Sequence, residues 1–358
     1  MRLSSARFQL QRYEPSVKTR FTCPECHKPQ EFTRWIDTFT KEHLPEQFGS
    51  CNRSDKCGYF KSLYDSGPDG LSYFQQVQRA DKQIIPNLRP LTSVKPKRAL
   101  PPLCLIPDEV VKKTKSHYSS NVFTQLLLNH FGTGVTADLL RRFEVGTSTH
   151  WPGATIFWQR DELGRVRGGQ VVLYDAEGHT VKEVTPDGRM KRCTTWVHTA
   201  CASHYRRHHL PQPSWLTAYL DPDNDVQKSP SLYGLAQLSS TSADSPVAIV
   251  ESAKTAIICT SYLPAFTWLA VGGLTYLNAD RLRSVREHPI TLYPDASTDG
   301  SAYRMWSKKA AELNQAGFRI QVADVLERQV SLAHKAAGFD LADLLLEQWP
   351  GYPPSWDE

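Results

Sequence analysis

Apolar residues along this chain follow three successive rhythms. Over 121–131 they stand at 122, 123, 126, 127 and 131, a helical spacing, and 137–143 resumes it after a Gly132-Thr133-Gly134 break, so two short helices are predicted. From 154 to 184 the rhythm becomes that of strands. Ala154-Thr155-Ile156-Phe157-Trp158, a turn at 161–164, Gln170-Val171-Val172-Leu173-Tyr174 and a second turn at Glu177-Gly178 predict a β meander. Beyond Pro246 strands and helices alternate: strands at 247–250, 266–271, 290–293 and 318–322, and helices at 252–262, 279–285 and 302–316. Such alternation builds an open α/β sheet, whose ligands bind beyond the carboxyl ends of the strands. Glu251, Gly272-Gly273, Asp295 and Asp324 stand at those ends.

The longest apolar runs, such as 246–250 and 268–271, fall far short of the ~20 residues a membrane span requires. The amino terminus also lacks the apolar stretch of a secretory signal, so a cytoplasmic, non-membrane protein is expected. With 358 residues, 40% of them hydrophobic and 22% charged, the chain can bury two or three cores. Its net charge of +5 is unevenly spread: +8 over 1–120, +1 over 121–240 and −4 over 241–358. A basic part that grips polyanions joined to an acidic part that collects metal cations fits this asymmetry, although ordinary solvated surfaces would produce it as well. The expected organisation is an α+β multidomain chain: a cysteine module over 1–62, a Pro/Gly/Ser/Lys-rich linker over 63–106, a core of helices and meander over 107–240, an α/β sheet over 241–346 and a tail over 347–358.

Cys23-Pro24-Glu25-Cys26 and the pair Cys51 and Cys57 offer four thiolates, the ligand set of a structural Zn²⁺. The second spacer, five residues, is longer than the usual two, and His27 and His43 are possible substitutes. Cys104, Cys193, Cys201 and Cys259 look solitary and structural. His204 and His208 would share a helix face, but flanking arginines repel a cation, and the segment reads instead as a basic exposed surface.

Val247-Ala248-Ile249-Val250-Glu251-Ser252-Ala253-Lys254, Leu269-Ala270-Val271-Gly272-Gly273 and Thr291-Leu292-Tyr293-Pro294-Asp295 together resemble the Toprim fold shared by primases, topoisomerases and some nucleases. Leu232-Tyr233-Gly234 is similar to the short motif upstream of Toprim in bacterial replicative primases, and Gly338-Phe339-Asp340-Leu341-Ala342-Asp343 to their downstream acidic motif. Ala154 to Trp158 followed by Gly164-Arg165-Val166-Arg167 resembles the β element of the primase core. With a zinc ribbon in front, the order resembles zinc-ribbon/Toprim primase-like proteins of bacterial and phage type, particularly those carried on mobile elements.

The resemblance implies metal-dependent nucleotidyl transfer, with Mg²⁺ or Mn²⁺ as catalytic ion and single-stranded DNA and ribonucleotides as partners. Glu251 would be the acid/base, Asp295 a metal ligand and Lys254 a hold on phosphate. Further carboxylates for the ion are Glu251 itself, Asp299, Asp324 and Asp340, because Ser297 stands where the family's second aspartate is usual. As bare residues, Glu251 suits a helix N-terminus and Asp295 an N-cap equally well. Arg165, Arg167, Arg34 and Trp35 are the expected nucleic-acid contacts, with aromatics near basic residues able to stack bases. No glycine precedes a lysine, so a Gly-Lys-Ser/Thr phosphate loop is absent and unwinding falls to a separate helicase. The alternatives are a catalytically degenerate replication accessory factor that binds DNA and a Toprim metal-dependent nuclease.

Overall fold

The computed structural model describes residues 7–11, 13, 19–38, 40–53, 56–65, 72–77, 103–185, 188, 190–221, 231–242 and 244–354. Most of the expected linker, including Lys95-Pro96-Lys97-Arg98, lies outside the described residues, as do 222–230 and 355–358 of the tail. Among the described residues no helix is long and apolar enough to cross a membrane. The chain divides into two compact units, 1–99 with 273–275, and 100–272 with 276–358.

The first unit carries an antiparallel sheet in the order β1-β2-β3-β4, formed by β1 (Phe8–Leu10), β2 (Phe32–Asp37), β3 (Gly49–Cys51) and β4 (Phe60–Lys61). Its apolar core is small: Phe8, Leu44, Phe48 and Leu63, with Trp35 and Phe74 against them. Phe32 packs separately with Cys23, Cys51 and Cys57. So small a core needs a further constraint to hold it, which is the usual part of a structural metal.

The second unit starts with α1 (Asp108–Thr114) and α2 (Val122–Arg142). The sequence break appears as a kink at Gly132 (φ 73°, ψ 178°), so the two predicted helices run into one bent element. Asn121, wholly buried, starts α2: its side chain accepts the Thr124 amide (3.0 Å) and the Thr155 hydroxyl (2.8 Å) and donates to the Gly146 carbonyl (3.2 Å). These bonds tie the helix to β5 (Val145–Ser148) and β6 (Ala154–Arg160). With β7 (Val166–Val172) and β10 (Thr194–Trp196) they form an antiparallel sheet in the order β10-β7-β6-β5, and β8 (Lys182–Val184) pairs with β9 (Met190–Arg192) as a separate hairpin. Strand β6 has both faces covered. Its period of two sends Ile156 and Trp158 to α1 and to α3 (Val197–Arg207), and Phe157 to Phe123 of α2. Helix α4 (Ser214–Leu220) follows α3.

The remaining elements are β11 (Val247–Val250), α5 (Ala253–Tyr262), β12 (Thr267–Ala270), α6 (Ala279–Leu282), β13 (Pro289–Tyr293), α7 (Ser301–Gln315), β14 (Arg319–Val322), α8 (Val325–Gln329), α9 (Leu332–Ala337) and α10 (Leu341–Gln348). The four strands are parallel, in the order β12-β11-β13-β14. The chain steps outward from β11 to β12, then crosses back to β13 on the other flank. Strand order therefore reverses at β11, which makes the carboxyl ends of β11 and β13 the switch point of the sheet. The two sheets share one core: Phe123, Leu127 and Phe131 of α2 and Tyr174 pack with Ile257, Ile258 and Tyr262 of α5, Val250 of β11 and Leu341 and Leu345 of α10.

The Leu232-Tyr233-Gly234 motif joins these halves. The Tyr233 backbone pairs with Ala270 of β12 (2.9 and 3.1 Å), and its hydroxyl donates to the Phe143 carbonyl (2.8 Å). Gly234 holds φ 84°, and a Cβ there would stand 2.9 Å from Gln237 Nε2 and 3.0 Å from the Trp268 carbonyl. Gly164 has a similar φ of 73° with nothing near its missing Cβ. Gly164→Ala is therefore expected to cost about 1 kcal/mol and Gly234→Ala about 3 kcal/mol in urea unfolding, since only the second adds a clash to the left-handed strain. Equal losses would show that the motif's glycine serves conformation alone.

Candidate active site

In the zinc centre the sulfurs of Cys23, Cys26, Cys51 and Cys57 all lie within 4.8 Å of one another, with Cys23–Cys57 at 3.7 Å and Cys26–Cys51 at 4.0 Å. A tetrahedral Zn²⁺ with bonds of about 2.3 Å places its sulfurs about 3.8 Å apart, so the four thiols fit that ion. The long second spacer coils into a turn. The Arg53 carbonyl accepts the amides of Lys56, Cys57 and Gly58 (3.1, 2.8 and 3.2 Å), which swings Cys57 back to the end of β3. His43 instead meets Gln11 (2.6 Å), and neither it nor His27 belongs to the cluster. Although burial opposes it, hydrogen bonds from the Lys28 amide and the neighbouring thiols lower the Cys26 thiol to about 7. Burial raises Cys51 to about 11 and pushes Cys57 higher still. Cys26 is thus the readiest thiolate, while these two lose their protons to the arriving metal.

The second site lies at the strand-order reversal. Val250 of β11 pairs with Tyr293 of β13, so Glu251 and Asp295, one and two residues past those strands, emerge side by side. Gly272, with φ 80°, brings its amide to the Glu251 carbonyl (2.8 Å). Both carboxylates are half-buried. Desolvation, followed by the negative charges of Glu251 and Asp340, pushes the Asp295 carboxyl well above its ordinary value, against the pull of Lys254. Like charges held together in this way are relieved by a cation, and a hard divalent ion such as Mg²⁺ suits an oxygen-only set that leaves water positions open. Glu251 and Asp295 fit such an ion.

The other expected ligands do not join them. Among the described residues the four cysteines are the one group of three or more His, Cys, Asp or Glu close enough to share an ion. Asp299 is exposed and accepts the Ser301 amide (3.0 Å), which lowers its carboxyl, while Asp324 pairs with Arg328 (2.6 Å). Ser297 accepts the Ala302 amide (3.0 Å) in the first turn of α7. The loop after Asp295 therefore uses its polar side chains to start a helix. Asp340 caps α10, in a box where Asp343 returns the bond. Lys254, expected on phosphate, is buried: its Nζ lies 2.7 Å from Asp343 and 3.1 Å from Asp340. Despite desolvation these two carboxylates hold the ammonium above the ordinary lysine range. Asp340 is likewise held low, its own desolvation outweighed by Lys254, the Asp343 amide and the Thr255 hydroxyl.

The expected nucleic-acid contacts also have partners within the protein. Asp161 binds Arg165 (2.9 Å to Nε) and Arg167 (3.5 Å to Nη1), and the Arg167 side chain is only 6% exposed. Arg34 stacks on Phe21 (5.2 Å) and donates to the Leu44 carbonyl, and Trp35 packs on the small ribbon core. The basic exposed surface expected around His204 and His208 extends to a wider face in the second unit. Lys191 of β9 and Arg207 of α3 both act on His150, whose ring meets Trp151 at 4.4 Å, and Lys182, Arg192 and Arg206 are exposed. The Arg206-Arg207 pair and the Lys191-Arg192 pair were its legible signal.

Residues 121–296 match a family model described as a domain of unknown function (DUF6371), and residues 6–69 match one described as a zinc beta-ribbon finger. The amino-terminal unit is a zinc ribbon whose four cysteines are arranged for structural zinc. No curated protein matches the chain. Among solved structures, the primase fragment of the bacteriophage T7 primase-helicase aligns at TM-score 0.34 with 12% identity, over 85% of this chain and 88% of that one. The E. coli primase catalytic core aligns at 0.36 with 12% identity (68% and 82%), and the zinc-binding and RNA polymerase domains of Aquifex aeolicus primase at 0.33 with 12% identity (95% and 79%). Likeness at those scores is too loose to carry a conclusion about fold or activity.

Two outcomes follow from the site chemistry. Purified protein is expected to hold one zinc, and Cys51→Ser with Cys57→Ser together to lose it along with proteolytic protection of 19–65; full zinc occupancy by elemental analysis in the double variant would refute the ligand set. Because the Asp295 carboxyl is raised on folding, its stabilising contribution is present below about pH 4 and is lost as pH rises through the raised value. Metal-free Asp295→Asn should then be more stable than its parent by about 1 kcal/mol at pH 7 and equal to it near pH 4. A parent more stable than the variant at pH 7 would reverse that sign.

Proposed function

We propose that this chain is a primase-like nucleotidyltransferase that joins ribonucleotides on single-stranded DNA at a Toprim-type site, in the replication of a bacterial mobile element. The observation that carries the reading is the meeting of Glu251 and Asp295 at the ends of adjacent parallel strands where the strand order reverses. Asp295, with Glu251 beside it, would hold a Mg²⁺ or Mn²⁺ ion, which would offset the charge on the nucleotide phosphates. Glu251, ahead of the amino terminus of α5, moves the proton of the reacting 3′-oxygen. Lys254 takes no phosphate, because its ammonium is occupied by Asp340 and Asp343. In place of Arg165 and Arg167, the template lies on the basic face of Lys191, Arg192, Arg206 and Arg207, with Trp151 as a stacking surface. Unwinding comes from a separate helicase.

A second reading has one observation in its favour. Lys254 already neutralises two nearby carboxylates, which supports a chain that keeps the fold and the DNA grip as a replication accessory factor. Primer synthesis from labelled ribonucleotides on random single-stranded template, with Mg²⁺ or Mn²⁺, separates the two. Joining by the parent, lost at least about 10²-fold in Glu251→Gln with DNA affinity unchanged, is the expected result. A parent that binds DNA but joins nothing with either metal would leave the accessory role, and cleavage of the template would point to a Toprim nuclease.

A further inference from the structure

Helix α5 carries a buried charge that packing does not require. The Lys254 side chain is 7% exposed, among the apolar neighbours Ala253, Ala256 and Ile257. Every oxygen of its two partners is taken by a protein donor. Asp340 Oδ1 accepts the Asp343 amide (2.9 Å), and Asp340 Oδ2 accepts the Thr255 hydroxyl (2.8 Å) and faces Lys254 (3.1 Å). Asp343 Oδ2 accepts the Asp340 amide (3.0 Å), and Asp343 Oδ1 accepts the Lys254 ammonium (2.7 Å).

Placing an ion pair in such surroundings is expensive, and an apolar side chain of similar volume serves packing as well or better. Two carboxylates that meet on one ammonium, one of them also bonded by a hydroxyl, are without that ammonium oxygens of the kind a divalent ion takes. The cluster also lies close enough to the strand-end pair for the Asp340 charge to act on Asp295. We propose that Lys254 is a built-in cation that fills the place of a second divalent ion, so that the site takes one such ion, held by Glu251 and Asp295. This rests on the reading of Glu251 and Asp295 as the metal-holding pair. Lys254 is thus a positioning residue: it fixes Asp340 and Asp343 as a neutralised wall of the site.

The test counts ions on the zinc-loaded full chain, titrated with Mn²⁺ and followed by the electron paramagnetic resonance of the free ion. The parent and Lys254→Arg are expected to bind one Mn²⁺, and Lys254→Met to bind one more than the parent. Should Lys254→Met fail to fold, Lys254→Met with Asp343→Asn removes opposite charges together and leaves Asp340 open, and is expected to bind Mn²⁺ at least tenfold more tightly than the parent. No added ion in the folded single variant, or no tightening in the double one, overturns the proposal, as does a second ion on the parent. The strand-end pair is read separately: a parent that binds no Mn²⁺, or Asp295→Asn that keeps the parent's ion, removes the proposed function whatever Lys254→Met does.

Discussion

Helix α5 has almost no face left for water: nine of its ten residues are buried. The parallel sheet, α2 and α10 enclose it, so each polar group on it has to find a partner inside the protein. Thr260 returns its hydroxyl to the Ala256 carbonyl (2.8 Å), and Tyr262 reaches the Trp349 carbonyl (3.0 Å). Lys254 finds Asp340 and Asp343. The same enclosure fixes the turn before α5, where Ser252 accepts the Thr255 amide (3.1 Å), and with it the place of Glu251 one residue earlier. The position of Glu251 thus follows from the burial of a helix that begins two residues after it.

Much of this was legible. The four parallel strands, α5 and α7 lie within a residue or two of their sequence periods because side-chain spacing follows the geometry of strand and helix, and the Gly132 break registers as a kink. The four thiolates could be read from chemistry alone. What escaped was direction. Lys254 stands in the first turn of its helix, but only tertiary structure decides whether that turn faces phosphate or a buried carboxylate pair. Arg165 and Arg167 were read as free charges, yet Asp161, four residues before the first of them, claims both. Asp340 and Asp343 did carry a signal that went unused, since an acidic residue three positions after an aspartate ahead of an apolar run is the pattern of a capping box. The serine at 297 likewise reads as a missing ligand only until its bond to Ala302 gives it a helix to start.

The two metal readings obey different physics. At the ribbon, soft thiolates cluster apart from a small apolar core, and the ion would contribute to folding itself. At the strand ends the core is large and complete, and a cation would act on charges that the fold has already forced together. A metal at the first would hold the site together, while one at the second would only relieve a charge already in place.

The bond between Lys254 and Asp343 spans 89 residues of sequence. Chains are synthesised from the amino terminus at about 5–20 residues per second, so the lysine emerges several seconds before either counter-charge exists. During that interval α5 cannot settle into its interior position without stranding an ammonium among apolar side chains. Completion of the second unit therefore waits for α10, and a ribosome stalled before residue 340 would carry a nascent chain whose β11 and α5 are still exposed. Helix α10 is thus the one that lets α5 go inside.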